Sequence, residues 1–173
     1  KLIVAGGGHV SKALSPIAKS VGFNVAIIDD RPEFATRERF PSAEKVIRAD
    51  FSDPFRETPL HTRSHVLLVT RGHKYDYACL IRALQMDPPP AYIGMIGSRR
   101  RVRATYVQLL EEGIAHALLD RIHAPVGLDV GAETPEEIAV AVAAELIMVR
   151  RGGTGASLKG VERVVERFFK EDK

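Results

Sequence analysis

Lys1-Leu2-Ile3-Val4-Ala5-Gly6-Gly7-Gly8-His9-Val10-Ser11-Lys12-Ala13-Leu14 is the stretch that decides the fold. An apolar run passes straight into three glycines, and a helical pattern opens directly behind them. A second apolar run, Val25-Ala26-Ile27-Ile28, ends in Asp29 and Asp30. That is about 20 residues past the glycines, where a dinucleotide-binding strand–helix–strand unit carries its ribose-binding carboxylate. Each part has a mechanical role. Gly6 permits the tight turn out of the strand, and Gly8 leaves no side chain between a phosphate and the backbone. The free N–H groups of the helix opening at His9 and Val10 aim partial positive charge at that phosphate. The third position of the G-x-G-x-x-G pattern is Ser11, expected to hold helix and strand slightly further apart. Asp29 reads either as the ribose ligand or as a turn residue closing a strand. Arg31 could receive a 2′-phosphate that Asp29 would repel, so NAD and NADP both stand as cofactors.

Working outward, apolar runs alternate with helical patterns. Strands are predicted near 2–5, 24–29, 45–49, 65–70 and 91–96, and helices near 10–21, 75–86, 99–112 and 135–150. The strands are continuously apolar, as in Val66-Leu67-Leu68-Val69, which is expected when both faces of a sheet are covered. The alternation predicts an α/β fold with a doubly wound, Rossmann-like parallel sheet. One domain is expected over residues 1–151, followed by a glycine-rich linker and a C-terminal helix over 152–173. That last helix, near 159–170, carries Leu158, Val161, Val165 and Phe168 on one face.

In such sheets ligands lie beyond the carboxyl ends of the strands, where the winding reverses. Two segments there carry chemistry. Thr70-Arg71-Gly72-His73-Lys74-Tyr75-Asp76 follows the fourth strand, and Gly97-Ser98-Arg99-Arg100-Arg101 follows the fifth. Ser98 is a helix N-cap, yet three arginines then occupy the first turn, where the helix dipole disfavours cations. A bound anion would remove that conflict; so would pairing with distant carboxylates or exposure to water. Further on, Thr134 and Glu137 form a capping box with Pro135 at the first helical position. The helix behind them carries Glu145 as its one charge between Ile138 and Val149, so it is expected to be buried in the core or in a homodimer interface. Gly152 and Gly153 end it.

Composition narrows the class. The 173 residues are 45% apolar and 27% charged with a net charge of +3, ordinary for a globular protein and too weakly basic to imply nucleic acid. The single cysteine, Cys79, excludes an internal disulfide and suits the cytoplasm. No run approaches the roughly 20 apolar residues that cross a bilayer. The chain opens inside a strand, without a signal-peptide pattern, which reads as a fragment whose upstream part lies elsewhere.

These segments together resemble the C-terminal Rossmann domain of the XdhC/CoxI family, the xanthine dehydrogenase accessory proteins. The resemblance rests on Gly-Gly-Gly-His-Val (6–10), Ile-Asp-Asp-Arg-Pro-Glu-Phe-Ala (28–35), Thr-Arg-Gly-His-Lys-Tyr-Asp (70–76) and Tyr-Ile-Gly-Met-Ile-Gly-Ser-Arg-Arg-Arg (92–101). Pro-Val-Gly-Leu-Asp-Val-Gly-Ala-Glu-Thr-Pro-Glu-Glu-Ile-Ala (125–139) completes the set. It implies a maturation factor for molybdenum hydroxylases that holds the molybdenum cofactor, supports its sulfuration by a cofactor-sulfurating enzyme, and passes it to the apoenzyme. On that reading Gly6, Gly8, His9, Val10, Asp29, Asp30, Arg71, His73, Gly97, Ser98, Arg99 and Arg100 are the expected cofactor-binding residues. The family's glycine loop usually ends in Gly or Ala where this chain has Ser11. The family's separate N-terminal domain, with its own cysteine motif, does not fall within these residues. Cys79 is no counterpart, since it lies in a predicted helix beside Leu80 and Ile81 and reads as a buried small hydrophobe.

His9 and His73 fall in strand-end segments and are the histidines expected to face a ligand. His61 and His65 are not on one helix face, so no metal site is expected there; His116 reads as surface and His123 as either. No Ser-His-Asp order, His-Glu-x-x-His or paired cysteines argue for hydrolysis or zinc. Asp129 and Glu133, flanked by Gly127 and Gly131, read as loop and cap structure or as functional carboxylates. Two function classes follow. One is a non-catalytic cofactor-handling chaperone that binds a pterin pyrophosphate or nucleotide. The other is an NAD(P)-dependent oxidoreductase of a small substrate, for which His73 is the one candidate proton donor.

Overall fold

The structure, a computed structural model, describes residues 1–161. Six parallel strands form one sheet: β1 (Leu2–Ala5), β2 (Val25–Asp29), β3 (Lys45–Arg48), β4 (His65–Leu68), β5 (Tyr92–Met95) and β6 (Ile122–His123), in the order β3-β2-β1-β4-β5-β6. The helices are α1 (His9–Ser20), α2 (His73–Leu84), α3 (Arg99–Glu111), the short α4 (His116–Leu119), α5 (Pro135–Arg151) and the short α6 (Leu158–Val161). The expected doubly wound α/β fold is present. The expected helix over 159–170 lies mostly outside the described residues, with Val165 and Phe168.

The continuous apolar character of the strands has a direct cause. Alternate residues face two separate cores. Ile3, Ala5, Ile28, Val66, Leu68, Ile93 and Met95 pack with Cys79, Leu80, Val102 and Leu109 of α2 and α3. Leu2, Val4, Val25, Ile27 and Leu67 pack with Leu14, Ala18, Ala139, Val142 and Leu146 of α1 and α5. Every strand position in β1, β2, β4 and β5 is buried, so no polar alternation can appear in the sequence. Cys79 is fully buried, and burial followed by the charge of Asp76 pushes its thiol well up.

Two elements differ from the expectation. The stretch around Ile122-His123 is a sixth strand, pairing with Ile93 and Gly94, and His116–Leu119 is a one-turn helix. Both are too short to show a hydrophobic period. Helix α5 has the anticipated capping box, Pro135 at its start and Gly152 in the left-handed conformation at its end. Its apolar face is covered within this chain by α1 and the sheet, while Val140 remains 55% exposed.

Candidate functional site

The strand order puts the reversal of winding between β1 and β4. Helix α1 leaves β1 toward one face of the sheet, and α2 leaves β4 toward the other. The two exits touch. A Cβ on Gly6, whose φ is +109°, would lie 2.3 Å from the Val69 carbonyl oxygen. A Cβ on Gly7 would lie 2.5 Å from the Phe34 carbonyl oxygen. Gly6 and Gly7 are therefore required by close backbone packing. Gly8 is different: its backbone is extended, and a Cβ there would meet nothing within 4 Å. This is an open cradle in front of α1. Gly8 caps that helix without a side-chain hydrogen bond, and Gly72, equally open, does the same for α2. The N-termini of α1 and α2, after neighbouring strands β1 and β4, thus lack side-chain caps at the same end of the sheet.

Ser11 is accommodated inside the packing of α1 on the sheet. It is fully buried, and its hydroxyl donates to the Gly6 carbonyl at 2.5 Å, tying the first turn of α1 to the loop.

Asp29, at the carboxyl end of β2, is 2% exposed and accepts four hydrogen bonds. They come from Gly7 N (2.7 Å), Arg31 N (3.0 Å), Arg31 Nε (2.9 Å) and Arg31 Nη2 (2.9 Å). Burial alone would raise this carboxyl; the hydrogen bonds from Arg31 and Gly7 outweigh it and hold the group below the usual carboxylate range. The Arg31 guanidinium lies 3.5 Å from the centroid of the Phe34 ring, and the Arg39 guanidinium 4.9 Å from it. Arg39 donates from Nε to the Gly7 carbonyl at 2.7 Å. Its Nη2 is buried and has no hydrogen-bond partner among the described residues. An orphaned buried donor costs about 1–3 kcal/mol, which an anion beside it removes. Arg39 was not legible in the sequence, because no spacing rule reaches a turn residue ten positions past β2.

Asp30 points elsewhere. Both its carboxylate oxygens accept from Arg71, at 2.9 and 2.8 Å, so the end of β2 is latched to the segment after β4. Arg71 also lies over the Tyr75 ring and bonds its hydroxyl. This pair is substantially exposed, and in water it contributes about 1 kcal/mol or less.

The three arginines at the start of α3 divide. Arg101 turns inward, donating from Nε to Asp76 Oδ2 at 2.8 Å and from Nη2 to the Thr70 carbonyl at 2.9 Å; Thr70 Oγ1 in turn donates to Asp76 at 2.6 Å. Burial raises the Asp76 carboxyl more than its hydrogen bonds from Thr70 and Arg101 lower it. Gly97 leaves room for the Arg101 side chain, whose Cδ would sit 3.1 Å from a Cβ there, and Ser98 caps α3 by accepting from Arg101 N. Arg99 and Arg100 are exposed. Arg99 lines a groove of about 500 Å³ with Val102, Tyr106 and Pro125, none of which belongs to the glycine loop. Of the three, Arg101 is thus already engaged by Asp76 and Thr70, while Arg99 faces this groove.

The structure brings Gly6, Gly8, Asp29, Asp30 and Arg71 together at the switch point. His9 and His73 are each the first residue of their helix and exposed, and Val10 is half-buried. His9 lines a surface groove with Lys12 and Pro135. Asp129 and Glu133 are exposed. Among the described residues no three His, Cys, Asp or Glu side chains are grouped to hold a metal ion, and no helix is long and apolar enough to cross a membrane. A second polar cluster was not anticipated. Glu145 of α5, 6% exposed, accepts from Tyr92 Oη at 2.6 Å and Gly127 N at 3.0 Å and pairs with His123 Nδ1 at 3.2 Å. Burial and the Glu145 contact push the Tyr92 hydroxyl far above its ordinary range.

Comparison with known proteins agrees with this architecture. The family model described as the XdhC Rossmann domain matches residues 2–146. The chain is similar to the uncharacterized protein YqeB of Escherichia coli strain K12, at 34% identity over 90% of this chain and 28% of that protein. It is similar to a probable xanthine dehydrogenase subunit from Bacillus subtilis strain 168, at 32% identity over 87% of this chain and 43% of that protein. A crystal structure described as a xanthine dehydrogenase from Bacillus halodurans superposes with a TM-score of 0.74 at 30% identity, over 92% of this chain and 45% of that one. The chain spans less than half the length of each of these relatives. It belongs to the XdhC Rossmann-domain family.

Proposed function

We propose that this member of the XdhC family holds a phosphate-bearing cofactor at the switch point and serves the maturation of a xanthine dehydrogenase-type molybdenum hydroxylase. The molybdenum cofactor is the cargo, received with the help of a cofactor-sulfurating enzyme and passed to the apoenzyme. The observation that carries this reading is the open cradle at Gly8 beside the unpartnered Arg39 Nη2. A phosphate fits both: uncapped N–H groups of α1 in front and a guanidinium at the side. The association with xanthine dehydrogenase is supported by the family match and by the names of the Bacillus relatives.

When bound, the molybdenum cofactor supplies the metal centre that a hydroxylase needs for its own redox chemistry. This chain's residues do something simpler. The α1 and α2 N-termini bind the phosphate, Asp29 fixes the glycine loop and Arg31, and the Asp30–Arg71 latch closes the edge between β2 and β4. His73, the candidate proton donor, is exposed at the first residue of α2, which favours a carrier over an oxidoreductase.

Purified protein analysed by mass spectrometry should carry a phosphorylated pterin, and Gly8→Val should lose it while keeping the fold. Adding the loaded protein to apo-hydroxylase should restore hydroxylase activity. Steady turnover of reduced nicotinamide with small aldehydes, and no cofactor transfer, would replace this reading with the oxidoreductase one.

A further inference from the structure

Resting on the reading that the glycine loop binds a phosphate-bearing ligand, the corner at the end of β2 says which nucleotide also fits there. A dinucleotide with its pyrophosphate against this loop brings its adenosine ribose to the carboxyl end of β2. An unphosphorylated ribose is recognised there by a carboxylate that accepts a hydrogen bond from the 2′-hydroxyl. Asp29 is in that position, but its four hydrogen bonds from Gly7 and Arg31 occupy all of the roughly four lone-pair sites a carboxylate has. Asp30 is held in a two-pronged bond by Arg71. Asp29, the carboxylate in the ribose position, is therefore saturated, and Asp30 is already committed to Arg71.

What the corner has is donors. Arg31 and Arg39 both lie on the Phe34 ring. Arg31 engages Asp29 through Nε and Nη2, leaving Nη1 without a bond among the described residues, and Arg39 Nη2 is likewise unpartnered. Two guanidinium groups here share one carboxylate, Asp29, which of the two bonds only Arg31. Planar guanidinium forks suit the oxygens of a dianionic phosphate.

We propose that the Arg31–Phe34–Arg39 corner binds a phosphate monoester carried on a ribose, so the protein takes a 2′-phosphorylated dinucleotide of the NADP class in preference to NAD. Arg39 is the specificity-determining side chain. Asp29 is a positioning residue that holds Arg31 and the glycine loop in place.

Calorimetric titration with NADP⁺, NAD⁺, 2′,5′-ADP and 5′-AMP tests this. NADP⁺ should bind at least about tenfold more tightly than NAD⁺. 2′,5′-ADP should displace NADP⁺ at concentrations where 5′-AMP does not. Arg39→Ala should weaken NADP⁺ by a larger factor than NAD⁺ and so close most of the gap between them, and Arg39→Lys, a point charge without the fork, should fall between. Thermal melts of both variants check that they fold. Equal affinity of the wild-type protein for the two dinucleotides overturns the proposal, as does an Arg39→Ala variant that loses both equally. Protein that binds neither dinucleotide but carries a phosphorylated pterin overturns this proposal alone. If it carries neither, the cofactor-binding reading falls with it.

Discussion

Arg101, in the first turn of α3, reaches across to Asp76, in the first turn of α2, with its Nε 2.8 Å from a carboxylate that is fully buried. The contact accounts for a cation at the α3 N-terminus, while Asp76 has the sign the α2 N-terminus favours. A cation at an N-terminus is normally unfavourable, but here it pairs with a buried carboxyl whose charged form burial disfavours, and Thr70 completes the network.

The three arginines of that turn should therefore separate cleanly in a stability experiment. Removing one partner of a buried pair destabilises by about 3–5 kcal/mol. Since the Arg101 side chain is partly exposed, Arg101→Ala is expected to cost about 2–4 kcal/mol, lowering Tm by roughly 5–15 °C. Arg99→Ala and Arg100→Ala should stay within about 0.5 kcal/mol of wild type. Thermal melts of the three variants decide it. Equal losses would show that the pair with Asp76 contributes nothing special.

The glycine loop should divide in the same way. Gly6→Ala forces a methyl group to 2.3 Å from the Val69 carbonyl oxygen at a positive φ, so a loss of about 2–4 kcal/mol is expected. Gly8→Val meets open space in an extended backbone. It should melt within about 0.5–1 kcal/mol of wild type yet bind NADP⁺ or pterin cofactor far more weakly. A Gly8→Val protein that binds normally would place the ligand elsewhere.

The fold was legible because its signals are local and redundant. Strand, glycines, helix and acidic strand end follow one another within 30 residues from Leu2 to Asp30, and β1, β2, β4 and β5 are buried on both faces. What was not legible depends on contacts between distant segments. Ile122-His123 carries too few residues to show a strand period and is a strand because Ile93 and Gly94 lie beside it. The first-turn arginines suggested an anion, but only the fold shows that the third already has one in Asp76, 25 positions away. The same holds for Arg39, whose role comes from meeting Gly7. Asp29 was found at the right place by spacing, whereas its saturation by Gly7 and Arg31 is a matter of geometry alone.

Glu145 shows how one buried charge in an apolar helix is retained. Tyr92 Oη, Gly127 N and His123 Nδ1 all converge on it, and Gly94 leaves the space that the tip of the Tyr92 ring fills, 2.5 Å from where a Cβ would be. Glu145→Leu should leave the Tyr92 hydroxyl and Gly127 amide unsatisfied, at about 1–3 kcal/mol for each that stays buried. Glu145→Gln, which keeps one acceptor, should lose less. Chemical denaturation of the two variants measures the difference. Leucine proving the more stable would mean the network is dispensable for folding.

His65 should give the protein a pH-dependent stability at mildly acidic pH. Its ring is 8% exposed, packs edge-on against Phe23 at 5.2 Å and stacks on Tyr92 at 5.9 Å, and its Nδ1 is buried without a hydrogen-bond partner among the described residues. Burial is the main reason its pKa is lowered from the ordinary 6.5, with Arg150 adding repulsion. The unfolded chain therefore binds a proton first as pH falls. Above about 6.5 both states are neutral and the stability is fully present; below it the unfolded state gains protons that the folded state does not, and stability falls until the folded pKa is reached. His65→Phe keeps the ring and removes both the proton and the orphaned nitrogen. It should melt higher than wild type by about 1 kcal/mol at pH 7.5, and the gap should widen as pH is lowered from 6.5 toward 5. Parallel melting curves for the two proteins across that range would show that His65 does not titrate differently on folding.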